Sequence, residues 1–599
     1  MASKKQKSSV SSKPFFNIKW VFAAILVVTV WSYSSGIKGQ MLEFDDVQYF
    51  RDFPEITNLS WASLRLYFTK HYVLMYHPLP ILSFAINHYF SELNPVPYHI
   101  VNLLFHLLNV MLVFKLLKHF IKHSWLALGL AAAWALHPMN TEAVTWISAR
   151  SSVMYTFFFL GSMWFYLKFQ ERRELKFLLL SFLAALLSHL SKVNAVALPV
   201  VLVALEWFYS GKQLKKYAYT IPFFAIAVFF GLYALSDSGT TDNILTTVNR
   251  FETWEFGLMS AYSLWFYLSR LFVPSGLSAI HTYPDNADGM PAEIWLGFLA
   301  LALLIVLVWK FRQNKLFLLG IGIFLIVVGP TLQLFPTRLF LMADRYVYLP
   351  YLGLLLAISV LLKPILETKR KDSIFTGLVL FSAVMAIITF QRNKVWTSTI
   401  DLVDDIIAKN PEVPYMARAY GMKANYLHYK KGQSVEAEKY YTKAIAVKPS
   451  DWESLYNRAM LYKQTKRAQN AIEDLTKCLE LINRDHYFIY NEIGALEFSI
   501  NRQLKAQHSF EKSIELNAEY ADAWNNLGTV LATSSNWQKA LNAFSKAIEI
   551  KPDYVDALKH RGLVYQQLGQ SDQACTDFLA VKRLGSNVVN KQIQDLGCN

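Results

Sequence analysis

The chain has 599 residues, of which 54% are apolar and 15% aromatic, and its mean hydropathy is +0.24. This composition excludes an ordinary array of soluble domains and indicates that much of the chain lies in lipid. The net charge of +15 would suit a nucleic-acid-binding protein, but the lysines and arginines mostly separate apolar segments, as in membrane proteins. We therefore expect no nucleic-acid partner. The three cysteines predict neither a disulfide framework nor a metal site, and they leave the redox compartment undecided.

The N-terminus predicts an uncleaved signal anchor. Residues 1–17 are basic and polar, and the apolar run 18–33 follows without a small-residue cleavage site. Because Lys- and Arg-rich segments that flank a membrane span usually remain on the cytoplasmic side, residues 1–17 are expected in the cytoplasm. The acidic pair Asp45 and Asp46, in "LEFDDVQYF", then lies outside.

Further apolar segments predict an all-α, polytopic membrane helix bundle over residues 18–392. Each span needs about 17–25 apolar residues. If 257–273 crossed, the basic clusters at 310–315 and 369–371 would fall outside, so this segment, which carries Arg270, is expected to lie in the interface or to re-enter. About eleven spans follow, and they place the chain after residue 392 outside. With the anchor, the candidate segments are 98–119, 124–138, 152–169, 176–190, 193–209, 217–235, 257–273, 293–311, 316–335, 346–364 and 374–391.

The C-terminal third is polar and repeats with a period of 34, the length of one tetratricopeptide unit. The stretch "DAWNNLGTVLATSSNWQKALNAFSKAIEIKPD" carries the small and large apolar residues of that repeat at the expected places. We predict five repeats in 418–588 as an α-solenoid, a connecting helix in 393–417 and a capping tail in 589–599. Asp404 and Asp405 are interpreted as a solvated helix face. The concave surface of the array predicts a peptide-binding groove.

Ionisable residues gather at the outer ends of the predicted spans. Asp45 and Asp46 are adjacent carboxylates, which repel each other, and capping a helix N-terminus needs only one of them. On this face a carboxylate could take the proton of a hydroxyl, while Lys192 and Arg345 neutralise the phosphate of a lipid. A solvated loop is the alternative explanation for any single one of these residues, although it explains the adjacent pair Asp45 and Asp46 less readily. No metal site is predicted, although Asp45 and Asp46 leave a divalent cation as an open alternative. The residues on this face are Asp45, Asp46, His137, Glu142, Arg150, Lys192, His281, Tyr283, Asp344, Arg345 and Tyr346.

Several motifs resemble one family of membrane enzymes. "FDDVQYF", "ALHPMNTEAVTWISARSS", "SKVNAVALPVVLVALEW" and "MADRYVYLPYLG", followed by the repeats, are similar to the transmembrane-and-tetratricopeptide O-mannosyltransferases and their bacterial relatives. The resemblance covers nearly the whole chain in the right order. It implies a GT-C type bundle that transfers a sugar, with inversion, from a polyprenyl-phosphate donor on the lumenal or periplasmic face. The short array and the Ser-Lys-rich N-terminus favour a bacterial inner-membrane protein with periplasmic repeats, or an endoplasmic reticulum protein if eukaryotic.

The resemblance also implies roles for individual residues. One of Asp45 and Asp46 would be the catalytic base for a hydroxyl acceptor, expected to be a protein Ser or Thr. Lys192 and Arg345 would lie near the lipid phosphate, with Asp344 and Tyr346 in support. The sugar, mannose or another hexose, stays open, as does the acceptor. The resemblance places His137 and Glu142 at the acceptor or donor site, to which the loop positions add Arg150, His281 and Tyr283.

Two other functions are compatible with the sequence. A non-enzymatic scaffold would use the bundle only to anchor the array, so that residues 395–599 would suffice on any anchor. A transporter of lipid-linked sugars could use intramembrane Arg and His residues as its pathway. The sequence contains no inverted repeats or broken helices that would favour transport. The partners expected for the enzyme are a lipid-linked sugar donor and an acceptor polypeptide held by the repeats.

Overall fold

The computed structural model describes most of the chain, in the ranges 17–73, 75–235, 251–284, 290–334, 340–368, 371–409, 416–482 and 486–598. The described residues form two compact units, divided after Pro411. Residues 1–16 of the predicted cytoplasmic segment, the basic residues Lys369 and Arg370, and residues 410–415 of the predicted connecting helix lie outside the described residues.

The first unit is built from α-helices that follow the apolar segments of the sequence. Each predicted span falls on a helix, because the long apolar runs contain few residues that break one. The helices are α1 Ile18–Ile37, α2 Asp46–Asp52, α3 Trp61–Tyr67, α4 Pro78–Ser91, α5 Pro95–Ile121, α6 Ser124–Ala135, α7 Thr141–Thr145, α8 Arg150–Arg172, α9 Leu175–His189, α10 Leu198–Ser210, α11 Ile221–Leu235, α12 Thr253–Arg270, α13 Leu296–Lys310, α14 Lys315–Val328, α15 Tyr351–Leu366, α16 Lys371–Asn393 and α17 Thr399–Lys409.

Length and composition mark six helical segments of the described chain as able to cross a membrane: Ile18–Ile37, Pro95–Ile121, Val193–Ser210, Leu214–Ala234, Ala292–Lys310 and Asp372–Trp396. Four shorter apolar helices, Ser124–Ala135, Leu175–His189, Lys315–Thr331 and Tyr351–Leu366, fall on further predicted spans. The protein is therefore a membrane protein, while the count of eleven spans stays a prediction.

Helices α1 and α16 end side by side. The Ser35 hydroxyl donates to the Phe390 carbonyl at 3.0 Å, and the Asn393 amide donates to the Ser32 carbonyl at 2.9 Å. These contacts join the C-terminal turns of both helices, so both helices run in the same direction. The chain after α16 consequently leaves the bundle on the face where Asp45 follows α1.

Close helix packing depends on glycine at two places. A Cβ on Gly36 would lie 2.4 Å from Thr145 Cγ2, so α1 approaches α7 only without a side chain there. At the crossing of α14 and α15, a Cβ on Gly320 would lie 2.6 Å from the Gly353 carbonyl oxygen. Small residues let membrane helices approach closely enough for extensive van der Waals contact.

The loop after α1 contains helices α2, α3 and α4, which the span pattern does not predict. They are too short to cross a membrane. Their buried side chains form a separate aromatic cluster that includes Tyr49, Tyr67, Tyr72 and Phe84. This cluster gives the acidic pair a fixed support, because α2 begins at Asp46.

The second unit is a series of antiparallel helix pairs. In the last two pairs a Cβ on Gly528 or Gly562 would lie 2.6 Å from the ring of Phe544 or Phe578, respectively. Glycine in the first helix therefore makes room for the phenyl ring of the second. The predicted all-α fold class is confirmed. The helices are α18 Met416–Asn425, α19 Ser434–Val447, α20 Trp452–Gln464, α21 Ala468–Leu481, α22 Tyr487–Ser499, α23 Gln503–Leu516, α24 Ala521–Thr533, α25 Trp537–Ile550, α26 Val555–Gln567, α27 Ser571–Arg583 and α28 Asn590–Leu596.

A disulfide closes the end of the second unit. Cys575 of α27 is bonded to Cys598, with 5.3 Å between the Cα atoms. Helix α28 folds back through Val589 and Ile593, which join the apolar cluster of the last repeat, and thereby brings the two cysteines together. The cysteine spacing alone does not reveal this bridge, because it depends on the return of the tail.

Candidate functional site

Asp46 is buried and held by the protein. Its carboxylate accepts hydrogen bonds from the Leu42 N–H at 3.0 Å, from the Ser148 N–H at 2.9 Å and from the Ser148 hydroxyl. Burial raises the pKa of this carboxyl to about 7, although these hydrogen bonds act in the opposite direction. Asp46 thus ties the loop after α1 to the turn between α7 and α8.

Asp45 has a more open position beside the same turn. It is half-buried and stands at the N-terminal boundary of α2. Its charge acts on Arg345: although burial opposes it, the charges of Glu142, Tyr346 and Asp45 raise the pKa of the guanidinium. The two adjacent carboxylates therefore occupy different environments.

Glu142 and Arg345 form an ion pair. Glu142, which is 1% exposed, accepts hydrogen bonds from the Arg345 backbone N–H at 2.8 Å and from the Arg345 guanidinium. The guanidinium carbon lies 5.2 Å from the centre of the Trp146 ring and 5.3 Å from that of Tyr346. The rings of Trp146 and Tyr346 and the carboxylate of Glu142 thus restrain the position of the Arg345 guanidinium.

The neighbouring residues of the "MADRY" motif contact the loop that follows α12. His281 Nε2 lies 2.9 Å from Asp344 Oδ1, and the Leu341 N–H donates to the His281 carbonyl at 2.9 Å. Tyr283 is buried and packs its ring 5.7 Å from that of Phe251. His281 therefore lies next to the Arg345 turn, and Tyr283 belongs to an aromatic contact within the loop.

Lys192 lies in the turn that follows α9. Its ammonium donates to the Ser152 hydroxyl at 2.7 Å and lies 5.8 Å from the centre of the Tyr155 ring. Burial, followed by the charge of Lys192, lowers the pKa of His77 to about 3. Lys192 is therefore close to the start of α4, which the sequence analysis does not include in the site.

Tyr49 connects the acidic pair with this region. Its hydroxyl lies 3.1 Å from His77 Nε2, and its ring is buried against Phe84. Burial and the charges of Asp45 and Asp46 raise the pKa of the Tyr49 hydroxyl. The Tyr49–His77 contact thus joins α2, which begins at Asp46, to the residue that precedes α4.

Arg150 holds the structure together around the site. Its guanidinium donates to Asn102 at 2.9 Å, to Ser83 at 3.0 Å, to Asn87 at 2.6 Å and to the Tyr98 carbonyl at 2.9 Å. These partners come from α4 and α5, whereas Arg150 begins α8. All three guanidinium nitrogens are engaged, so the geometry gives Arg150 the role of a buried strut.

His137 is also engaged at both ring nitrogens. Nε2 donates to the Leu271 carbonyl at 3.1 Å, and Nδ1 accepts from the Met139 N–H at 3.3 Å. Burial lowers the pKa of this imidazole to about 4. In the described structure His137 supports the end of α12.

The interpretation of Asp405 as a solvated residue is wrong. Its carboxylate lies 2.7 Å from the Arg392 guanidinium and 2.5 Å from the Lys409 ammonium. Arg392 is buried at the end of α16, and the pairing draws α17 back against the bundle. Asp404, the next residue along the helix, is exposed, as predicted.

The groups that surround Asp46 are hydrogen-bond donors, which bind a carboxylate directly. Within the described ranges, which leave out 285–289 and 335–339, no group of three or more His, Cys, Asp or Glu side chains could hold a metal ion. Both oxygens of Asp46 accept hydrogen bonds from N–H and O–H groups. The arrangement can hold an anion beside Arg345 and a proton acceptor at Asp45.

Three segments of the second unit match the family model of the tetratricopeptide repeat: residues 417–451, 453–485 and 521–554. Among solved structures, that of MamA is 28% identical over 27% of this chain and 94% of that chain, with a TM-score of 0.26. That of YrrB, described as a TPR protein with an unusual peptide-binding site, is 19% identical over 32% of this chain and 95% of that chain, with a TM-score of 0.28.

The chain is also similar to curated proteins. Protein O-mannosyl-transferase F38B6.6 of Caenorhabditis elegans is 23% identical over 389 residues, which are 63% of this chain and 54% of that protein. Protein O-mannosyl-transferase TMTC3 of Homo sapiens is 29% identical over 156 residues, or 24% of this chain and 16% of that protein. The chain thus spans about half the length of the first relative and less of the second. The chain is thus similar to proteins named protein O-mannosyl-transferases and contains tetratricopeptide repeats, which agrees with the family that its motifs resemble.

Proposed function

We propose that this protein is a membrane glycosyltransferase that moves a sugar from a polyprenyl-phosphate donor to Ser or Thr hydroxyls of a polypeptide on the extracytoplasmic face. The observation that carries the proposal is the pairing of a half-buried Asp45 with the Glu142–Arg345 ion pair at one end of the bundle. The names of the relatives support the same reaction.

Asp45 is the better candidate for the catalytic base. The carboxylate of Asp46 already accepts hydrogen bonds from Leu42 and Ser148, and it is 1% exposed. Asp45 is more accessible, so a hydroxyl can reach hydrogen-bond distance of its carboxylate. The division of roles follows from burial, since a base must touch the proton that it removes.

In the proposed step Asp45 takes the proton of the acceptor hydroxyl. The hydroxyl oxygen forms a bond to the anomeric carbon while the bond from that carbon to the phosphate oxygen breaks, and the polyprenyl phosphate leaves with the electron pair. A single displacement inverts the anomeric configuration. Arg345 and Lys192 stabilise the negative charge that develops on the phosphate.

Two observations support an extracytoplasmic reaction. Helices α1 and α16 end on the same face of the bundle, so the chain toward the repeats emerges where Asp45 lies. The Cys575–Cys598 disulfide suits an oxidising compartment, because cytosolic thiols are kept reduced. The donor's lipid would stay in the outer leaflet beside Lys192.

The groove of the second unit suits the acceptor polypeptide. A cavity of about 470 Å³ is lined by α24, α25 and α26 of the last two repeats. Its lining combines hydroxyl and amide groups with apolar side chains and no carboxylate, a set that can pair with peptide backbone and tolerate many sequences. The polar lining residues include Thr529, Thr533, His560, Gln566 and Gln567.

Mass spectrometry of extracytoplasmic glycoproteins tests the proposal. Cells that carry the Asp45→Asn protein should lose hexose on particular Ser and Thr residues, at equal membrane abundance of the enzyme. Glu43→Gln is the matched control, because this exposed carboxylate lies in the same loop and should be dispensable. Unchanged modification in Asp45→Asn cells would refute the proposal and favour a scaffold.

A further inference from the structure

The loop that carries Asp45 is held by the segment that follows α16. We call residues 396–399 the exit segment, because the chain leaves the bundle through it. The Gln40 N–H donates to the Thr397 carbonyl at 2.8 Å, and the Glu43 N–H donates to the Thr399 hydroxyl oxygen at 3.0 Å. These two hydrogen bonds restrain the backbone of residues 40–43, immediately before Asp45.

The exit segment also supports the wall behind Arg345. Trp396 is 1% exposed and stacks on Trp146, with 5.7 Å between ring centres and 30° between planes. Trp146 also contacts the Arg345 guanidinium, at 5.2 Å from its ring centre, and the Phe44 ring, at 6.1 Å between ring centres. A change at Trp396 would therefore move the surface against which Arg345 rests.

Helix α17 continues the exit segment and is itself fixed to the bundle. Leu402 and Ile406 are buried, and Asp405 binds both Arg392 and Lys409. Helix α17, which leads toward the repeats, is therefore packed against the bundle. Any shift of α17 is passed to the exit segment, because the two are consecutive and both are packed.

We propose that Thr399 and Trp396 are positioning residues of the transferase site: Thr399 sets the place of the Asp45 loop, and Trp396 sets the place of the Trp146–Arg345 stack. This inference rests on the proposed function. Neither side chain touches the reacting atoms. A misplaced base or anion-binding group slows the chemical step in the enzyme–substrate complex more than it weakens substrate binding. We therefore expect kcat to fall and KM to change little.

Steady-state kinetics of the full chain in lipid nanodiscs test the inference. The donors are dolichyl phosphate mannose and undecaprenyl phosphate mannose, and the acceptor is a Ser- and Thr-containing peptide. We expect Thr399→Val to lower kcat by about 2- to 10-fold, as loss of one hydrogen bond predicts. Thr399→Ser keeps the hydroxyl and should restore the rate. Thr397→Val is the matched control, because the Thr397 hydroxyl bonds to Lys394 and Asp401 rather than to the Asp45 loop.

A second pair of variants separates ring stacking from the indole N–H. The Trp396 N–H is buried without a hydrogen-bond partner among the described residues. Trp396→Phe keeps an aromatic ring and should retain most of the activity, whereas Trp396→Leu should lower kcat by about 10- to 100-fold. Equal losses in both variants would contradict a role in stacking.

Hydrogen–deuterium exchange of the resting protein provides a readout that does not depend on activity. In Thr399→Val the Glu43 amide should exchange about 2- to 10-fold faster than in the wild type, and in Thr397→Val it should not change. Asp45→Asn in the same transfer assay distinguishes the two levels of failure. Full activity of Asp45→Asn would defeat the proposed function. An inactive Asp45→Asn together with unchanged kcat and exchange in Thr399→Val, or a rise in KM alone, would overturn only this inference.

Discussion

Exchanging the two adjacent carboxylates one at a time should separate stability from catalysis. Asp46→Asn keeps the shape of the side chain, and its carbonyl oxygen can still accept from Ser148. Its amide nitrogen, however, would face the Leu42 N–H, donor against donor. A buried donor left without an acceptor costs about 1–3 kcal/mol. Asp45 is half-buried rather than buried, and Asp45→Asn should lower kcat by about 10²- to 10⁴-fold, as loss of a general base predicts.

The pH dependence of stability follows from the raised pKa of Asp46. The pKa of Asp46 is about 7 in the folded protein and 3.8 for a solvated aspartate, so the folded state holds the proton more tightly. Between pH 4 and pH 7 the unfolded chain loses its proton first, and stability falls as pH rises. The full difference corresponds to roughly 4 kcal/mol. Asp46→Asn has no titrating group and should lose this part of the pH dependence.

Thermal unfolding of the detergent-solubilised protein between pH 4.5 and pH 8 measures the effect. The midpoint of the wild type should fall more steeply with rising pH than that of Asp46→Asn. Asp45→Asn serves as the comparison and should keep most of the slope of the wild type, because burial rather than the charge of Asp45 is the main cause of the raised pKa of Asp46. If Asp46→Asn retained that slope, or if Asp45→Asn removed it, the assignment of Asp46 as the buried, loop-fixing carboxylate would be refuted.

Three other predictions concern residues away from the proposed base. His137 has a folded pKa of about 4, below its ordinary 6.5, so its contribution is lost as pH falls from about 6.5 to 4; His137→Gln should flatten this acid loss in the same unfolding assay. Arg561→Ala leaves the buried Asp577 carboxylate unpaired and should destabilise residues 412–599 by about 3–5 kcal/mol in guanidinium unfolding, whereas Arg561→Met with Asp577→Leu should be nearly neutral. Reduction of the Cys575–Cys598 bridge should lower the free energy of unfolding by about 2–4 kcal/mol. On intact cells, a membrane-impermeant maleimide should label these two cysteines only after reduction. Labelling without reduction would contradict the bridge.

Part of the candidate site could be found from the sequence because its residues stand at the ends of apolar runs. The alternation of basic clusters between spans predicts an outer position for Asp45, Glu142, Lys192 and Arg345. The same rule cannot distinguish a residue with a structural role from one that takes part in the reaction. Arg150 stands in an equivalent position, and its role becomes clear only from its partners.

Other members of the region leave a weak trace in the sequence or none. Ser148 lies within the quoted "ISARSS" stretch, but its bond to Asp46 spans 102 residues. His77 and Tyr49 are joined through a loop that has no span signal. The bond between Glu43 and Thr399 joins residues 356 positions apart, and no local pattern announces it.

The sequence by itself determined the membrane character of the protein, its helical segments and its repeats. Each of these is a local or periodic property: about 17–25 apolar residues span a bilayer, and a period of 34 marks a helix pair. Only the tertiary structure decided which of two adjacent carboxylates is held by the protein, and which segment holds the loop of the other. Those questions concern burial and hydrogen-bond partners, which depend on contacts between residues far apart in the chain.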